Sequence, residues 1–143
     1  MALPSVDPAR ASTQSSLRVR FCDTDLMGIV HHGNYLAYFE AGRVEWLRRR
    51  GVAYRDWAAR GFHLAVIEAN VRYRLPALFD DEVTVETTLA ELRHASLRFE
   101  YKLLRGETLL TEGMTRLACV DDNNRVGRFP ADMLEILSRG ETS

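Results

Sequence analysis

The stretch from Asp23 to Gly51, DTDLMGIVHHGNYLAYFEAGRVEWLRRRG, constrains the fold more than any other part of the chain. Two carboxylates one residue apart, Asp23 and Asp25, stand where an alternating run (Leu17, Val19, Phe21) stops. Gly28, the adjacent His31 and His32, and Gly33-Asn34 follow. Tyr35, Phe39, Gly42 and Trp46 then recur at steps of four and three, the spacing of one face of a helix about 16 residues long. Arg48 to Arg50 and Gly51 supply a basic last turn and a left-handed stop signal. A strand therefore hands over to an acid-bearing loop, and the loop to a helix N-terminus. Unpaired N–H groups and the positive end of the dipole attract anions there. Acids facing such an end make a site more readily than a core.

A chain of 143 residues is long enough for one domain with a real core. The net charge of −1 leaves no electrostatic footprint for nucleic acid or an anionic membrane surface. No apolar run approaches the roughly 20 residues of a bilayer span. Residues 1–16, MALPSVDPARASTQSS, have no apolar core of their own and read as a flexible arm rather than a signal peptide. The folded domain is then 17–143, cytoplasmic and soluble by default. Cys22 and Cys119 lack CxxC spacing, sit in apolar strand-like runs and read as buried free thiols of a reducing compartment.

Hydrophobic period sets the remaining elements. Residues 17–22 alternate apolar and basic, as a strand with one buried face does. Residues 52–60 form a short helical segment closed by Gly61, and from Phe62 the period becomes two. Residues 63–73 read as a strand with an interruption near Ala69-Asn70, ended by Pro76. Along 82–91 Val83, Val85, Thr87 and Leu89 point one way, and Leu97, Phe99, Tyr101 and Leu103 repeat the pattern. Arg105-Gly106-Glu107 is a hairpin turn before a long strand over 108–120, and Pro130 opens a last helix over 131–137. No helix alternates with the later strands, so the expected class is α+β, with an antiparallel sheet of about five strands. The Tyr/Phe/Trp stripe of the long helix is the candidate to cover it.

The pattern D-x-D-x-x-G-x-V, H-x-x-Y, F-E-x-x-R, here Asp23, Asp25, Gly28, Val30, His32, Tyr35, Phe39-Glu40 and Arg43, resembles the hotdog-fold thioesterases of the 4-hydroxybenzoyl-CoA thioesterase family. Within it, the pattern is most similar to bacterial acyl-CoA thioesterases encoded beside the Tol-Pal envelope system. The resemblance spans roughly residues 17 to 137. It implies a long helix wrapped by a curved antiparallel sheet and hydrolysis of an acyl-CoA to free acid and CoA. It further implies no cofactor beyond the coenzyme A of the substrate, and a homodimer or homotetramer with active sites between subunits. Asp25 takes the place of the family's catalytic carboxylate, and the backbone N–H of His32 or Gly33 that of its oxyanion donor. The nucleotide end of the substrate is held in relatives near the turn matching Arg93 to Ser96. An acyl carrier protein in place of coenzyme A remains open.

The residues themselves fit that chemistry. A carboxylate attacks a thioester carbonyl or activates water on it, and free amides at a helix start hold the oxyanion. A thiolate leaves unprotonated, so no general acid is required. Each residue also has a plainer role open to it. Asp25 satisfies the helix N-terminus, Asp23 is a turn residue bonding local N–H groups, and Glu40 pairs with Arg43 at i,i+3. As substrate-binding candidates stand Tyr35 for the acyl group, Glu40 as a second acid, and Arg72, Arg93 and Ser96 for the phosphates, with Arg74 and Arg98 beside them. His31 and His32 lack metal-ligand spacing, so no metal is expected. Two other readings stay open: a hotdog dehydratase of 3-hydroxyacyl chains, in which His32 pairs with Asp25 or Glu40, and a non-catalytic binder of acyl-CoA or acyl carrier protein.

Overall fold

Five antiparallel strands wrap one long helix in the computed structural model, which describes residues 3–141 apart from residue 5. The elements are β1 (Ser12–Arg18), α1 (Asn34–Arg48), α2 (Tyr54–Ala59), β2 (His63–Tyr73), β3 (Glu82–Leu92), β4 (Ser96–Arg105), β5 (Thr108–Val120) and α3 (Ala131–Ser138). The curved sheet runs β1-β3-β4-β5-β2, so β1 and β2 are its edges. This is the α+β class that the strand periodicity implies.

The core lies between α1 and the concave face of the sheet. Val83, Val85, Thr87 and Leu89 of β3 and Leu97, Phe99, Tyr101 and Leu103 of β4 are all buried. They meet the expected stripe of α1: Phe39 stacks on Tyr101 with ring centroids 4.4 Å apart, and Trp46 stands edge-on to Phe99 at 5.1 Å. Two glycines permit the close seating. A Cβ on Gly42 would lie 2.5 Å from Thr87 Oγ1, and one on Gly113 of β5 would lie 2.4 Å from Phe39 Cε2. From α3, Met133, Leu134 and Leu137 close the other end of the core.

Three expectations need correction. The first strand begins at Ser12 and ends at Arg18, so residues 12–16, expected in the arm, pair with β3 from Ser12↔Thr88 to Ser16↔Thr84. Their hydroxyls hide the strand from a hydrophobicity pattern, because side-chain hydrogen bonds stand in for apolar burial. Ser12 shares a 2.7 Å bond with Thr88, and buried Thr13 donates to Glu141 at 2.6 Å. Residues 1, 2 and 5 of the expected arm lie outside the described residues. Next, the irregularity of β2 falls between Val66 and Glu68 rather than at Ala69-Asn70, leaving Ile67 out of the ladder with β5.

The basic last turn of α1 also divides. Arg48 and Arg49 pair with Glu45, but Arg50 is 0% exposed. Its guanidinium lies 3.6 Å over the Trp46 ring and donates to Thr13 Oγ1, Trp46 O, Arg10 O and Arg139 O at 2.7–3.1 Å. Burial pushes its pKa down to about 10, which leaves it charged at neutral pH. Arg50 thereby ties the helix end to both terminal segments. Among the described residues no helix is long and apolar enough to cross a membrane.

Candidate active site

Chain and site meet in the loop between β1 and α1. After a 3₁₀ turn at Phe21–Asp23 the backbone reverses through Gly28, whose φ of +79° suits glycine, and returns to pair Thr24 with Val30, Asp25 N–H donating to Ile29 O at 2.9 Å. Asp23 anchors this loop. Its buried carboxylate accepts from Arg20 N–H (3.0 Å), Arg20 Nη2 (2.9 Å) and the Tyr38 hydroxyl (2.8 Å). Its carbonyl accepts from His31 N–H (2.9 Å) and Asn34 Nδ2 (2.8 Å), which pins the start of α1. Burial opposes the Asp23 charge, yet the bonds from Arg20 and Tyr38 prevail and hold its carboxyl below the ordinary value. The Tyr38 hydroxyl, buried and facing that carboxylate, is pushed up and stays protonated.

Asp25 has the opposite environment. It is exposed, its Oδ1 accepts Met27 N–H at 2.8 Å, and its Oδ2 has no hydrogen bond among the described residues. A cavity of about 310 Å³ opens beside it, lined by Asp25, Ile29, His32, Tyr35, Tyr73 and Arg74 among others. Tyr35 is buried there with its hydroxyl accepting Ala77 N–H at 3.1 Å. At the helix start Gly33 N–H turns back to His31 Nδ1 at 3.2 Å, while the His32 N–H has no partner among the described residues. The His32 ring lies against that of His31, centroids 4.1 Å apart, and no hydrogen bond joins it to Asp25.

The structure thus brings Asp25, His32 and Tyr35 to one cavity, with Gly33 at the N-cap of α1 beside it. It separates the others. Glu40 is exposed on the outer face of α1, 3.7 Å from Arg43, and faces a different depression against β1. Arg72 lies on the convex face of the sheet among Glu68, Glu86 and Glu100. Arg93 pairs with Glu91 and donates its N–H to Ser96 O at 2.8 Å, closing the β3–β4 turn. Ser96 faces Ala118, which faces Ala65, so this turn sits at the far end of the sheet from Tyr73. Residues 65 to 73 of an extended strand span about 25 Å. Arg74, a phosphate candidate from sequence, also reaches the cavity, where it pairs with Glu112 at 2.6 Å. Tyr73, which reads in sequence as the end of a strand, lines the cavity without belonging to the motif. A tyrosine three residues before Pro76, where the strand must stop, is the only signal that marks Tyr73.

A model of the thioesterase-like superfamily matches residues 19–137. The chain belongs to that family. A putative esterase of Aquifex aeolicus is 33% identical over 120 residues, covering 84% of this chain and 93% of that protein. The acyl-CoA thioester hydrolase YbgC of Escherichia coli is 34% identical over 106 residues, or 73% and 79% of the two chains. A crystal structure of a hypothetical protein from Thermus thermophilus superposes with a TM-score of 0.84 at 42% identity, covering 87% of this chain and 96% of that one. The fold is therefore the hotdog fold of that family, and the loop bearing Asp25 lies within the matched span.

Proposed function

We propose that this protein is an acyl-CoA thioesterase that uses Asp25 as nucleophile or general base and the free amide at the start of α1 as oxyanion donor. The observation that carries the reading is the pairing of an exposed carboxylate, one oxygen unengaged, with the unpartnered His32 N–H on one cavity. Attack by Asp25 on the thioester carbonyl would expel CoA as thiolate and leave a mixed anhydride that water opens. As a base, Asp25 would instead take a proton from the water that attacks. Both routes consume one water per thioester, and both develop negative charge on the carbonyl oxygen. A preorganised amide at a positive helix end stabilises that charge. A dehydratase would need an imidazole poised with an acid, whereas His32 packs on His31 and Glu40 faces elsewhere.

The reading includes a second copy of the chain. β2 is an edge strand of eleven residues whose middle, Val66 to Asn70, is exposed. Antiparallel pairing of two such edges would bring the partner's Arg93–Ser96 turn to the end of the sheet that holds Asp25, within range of a substrate's nucleotide. A homodimer is the unit this geometry asks for, and a homotetramer would pair two of them. Cys119 is buried as expected, whereas Cys22, on the 3₁₀ turn beyond β1 and not in a strand, is exposed; two free thiols and no disulfide among the described residues suit a cytoplasmic protein.

The test is thiol release, followed with a thiol-reactive dye, across short, medium, long and aromatic acyl-CoAs and acyl carrier proteins. Asp25→Asn is expected to lower turnover by a factor of about a hundred or more with its fold intact. Release from carrier protein alone would change the substrate, and none from either would overturn the reading.

A further inference from the structure

The His32 carbonyl is left out of the helix. At the start of α1 Asn34 N–H donates to His31 O at 2.9 Å and Leu36 N–H to Gly33 O at 3.3 Å, and nothing in α1 donates to His32 O. A residue from another element takes it instead: the hydroxyl of Tyr73, last residue of β2, donates to His32 O at 2.7 Å. His32 is exposed, so water could satisfy that carbonyl with no protein partner at all. A directed bond from the sheet does something water cannot, which is to fix the His32–Gly33 peptide and with it the Cα from which the His32 N–H projects.

The same residue is held on its other side. His31 N–H donates to Asp23 O and His31 O accepts Asn34 N–H, both at 2.9 Å. His32 is therefore clamped at the peptides before and after it while its own N–H has no partner among the described residues. The Tyr73 ring is itself braced edge-on against Tyr35, centroids 5.2 Å apart. Burial, with the neighbouring Tyr35, pushes the Tyr73 hydroxyl up, so it remains a donor throughout the neutral range.

We propose that Tyr73 is a positioning residue for the thioesterase reaction, holding His32 so that its amide stays aimed at the developing oxyanion. This rests on the thioesterase reading above and adds to it a residue that does not react. An oxyanion donor works because it need not reorganise as charge develops. Releasing this anchor frees the His32–Gly33 peptide, which shares the His32 Cα with the peptide carrying the amide, so the amide drifts and transition-state stabilisation falls without costing substrate affinity.

Tyr73→Phe keeps the ring and its contact with Tyr35 and removes only the donor. The expected result is a loss of kcat of about tenfold, below the hundredfold or more of a deleted oxyanion donor, with KM within about twofold. A second readout needs no turnover. With carbonyl-labelled acyl-CoA bound to Asp25→Asn, the thioester carbonyl stretch measures polarisation, and adding Tyr73→Phe should move it back towards the free-substrate position. An unchanged kcat, or a fall in kcat with an unmoved carbonyl band, would overturn the role of Tyr73 while the wild type still hydrolyses. A wild type that releases no thiol from any acyl-CoA would instead sink the thioesterase reading itself.

Discussion

Asp23 and Asp25 are the same residue type, one position apart, and their fates diverge because of neighbours that are distant in sequence. Asp23 is 3% exposed, and its carboxylate accepts from the backbone and guanidinium of Arg20 and from a hydroxyl fifteen residues on. Asp23→Ala removes these bonds and strands the Tyr38 hydroxyl, so a loss of about 2–3 kcal/mol in unfolding free energy is expected, read from urea titration. The pH dependence follows from the sign of its shift. A carboxyl held below its ordinary value of 3.8 contributes stability that is complete above that value and is lost as pH falls through the folded value. The stability gap between wild type and Asp23→Asn should therefore be constant near neutrality and narrow below pH 3.8. A gap still full at pH 3 would show that the Asp23 charge contributes nothing. The local part of this arrangement is legible in the sequence, since an aspartate after a strand bonds nearby N–H groups. The Tyr38 bond is not, because the long helix reads by its Tyr35, Phe39, Gly42 and Trp46 stripe and Tyr38 falls between those steps.

At the scale of elements, legibility follows apolar periodicity. β3, β4, β5 and α1 announce themselves because each buries one face of large side chains. β1 does not, because its inward Thr13 is buried by donating to Glu141 and accepting from Arg50. Nor does sequence distinguish Arg50 from Arg48 and Arg49, although only Arg50 turns inward over Trp46. Gly42 gives the sharpest test of how α1 is seated. Ala exceeds Gly in helix propensity by about 1 kcal/mol, so an exposed helix would gain from Gly42→Ala. Here the added methyl meets Thr87 Oγ1 at 2.5 Å and Val85 Cγ1 at 2.7 Å, and overpacking of that kind costs about 1–3 kcal/mol. Steric cost should win, and the melting temperature should fall by several degrees. A rise would mean that the helix rides higher over the sheet than described.

For the whole molecule, the unanswered surface is the β2 edge. Val66 is 48% and Ile67 60% exposed on a strand whose outer N–H and C=O groups face no other strand. A long exposed edge without proline is a template for another strand. The proposed second copy, paired about a two-fold axis, would answer it with a self-complementary patch. Such a dimer would also account for Arg93 and Ser96 lying about 25 Å along the sheet from the cavity they were expected to serve. No linear pattern encodes which end of a partner would meet which end of this chain. Ile67 tests it, being outside the ladder with β5 and so dispensable to the protomer's own sheet. Ile67→Lys would place two like charges across the paired edges. The variant is expected to sediment as a monomer that keeps its circular dichroism, and to lose most acyl-CoA turnover while Asp25 and the start of α1 remain intact. A monomer with full activity would make the cavity of one chain sufficient and remove the partner's Arg93–Ser96 turn from the site.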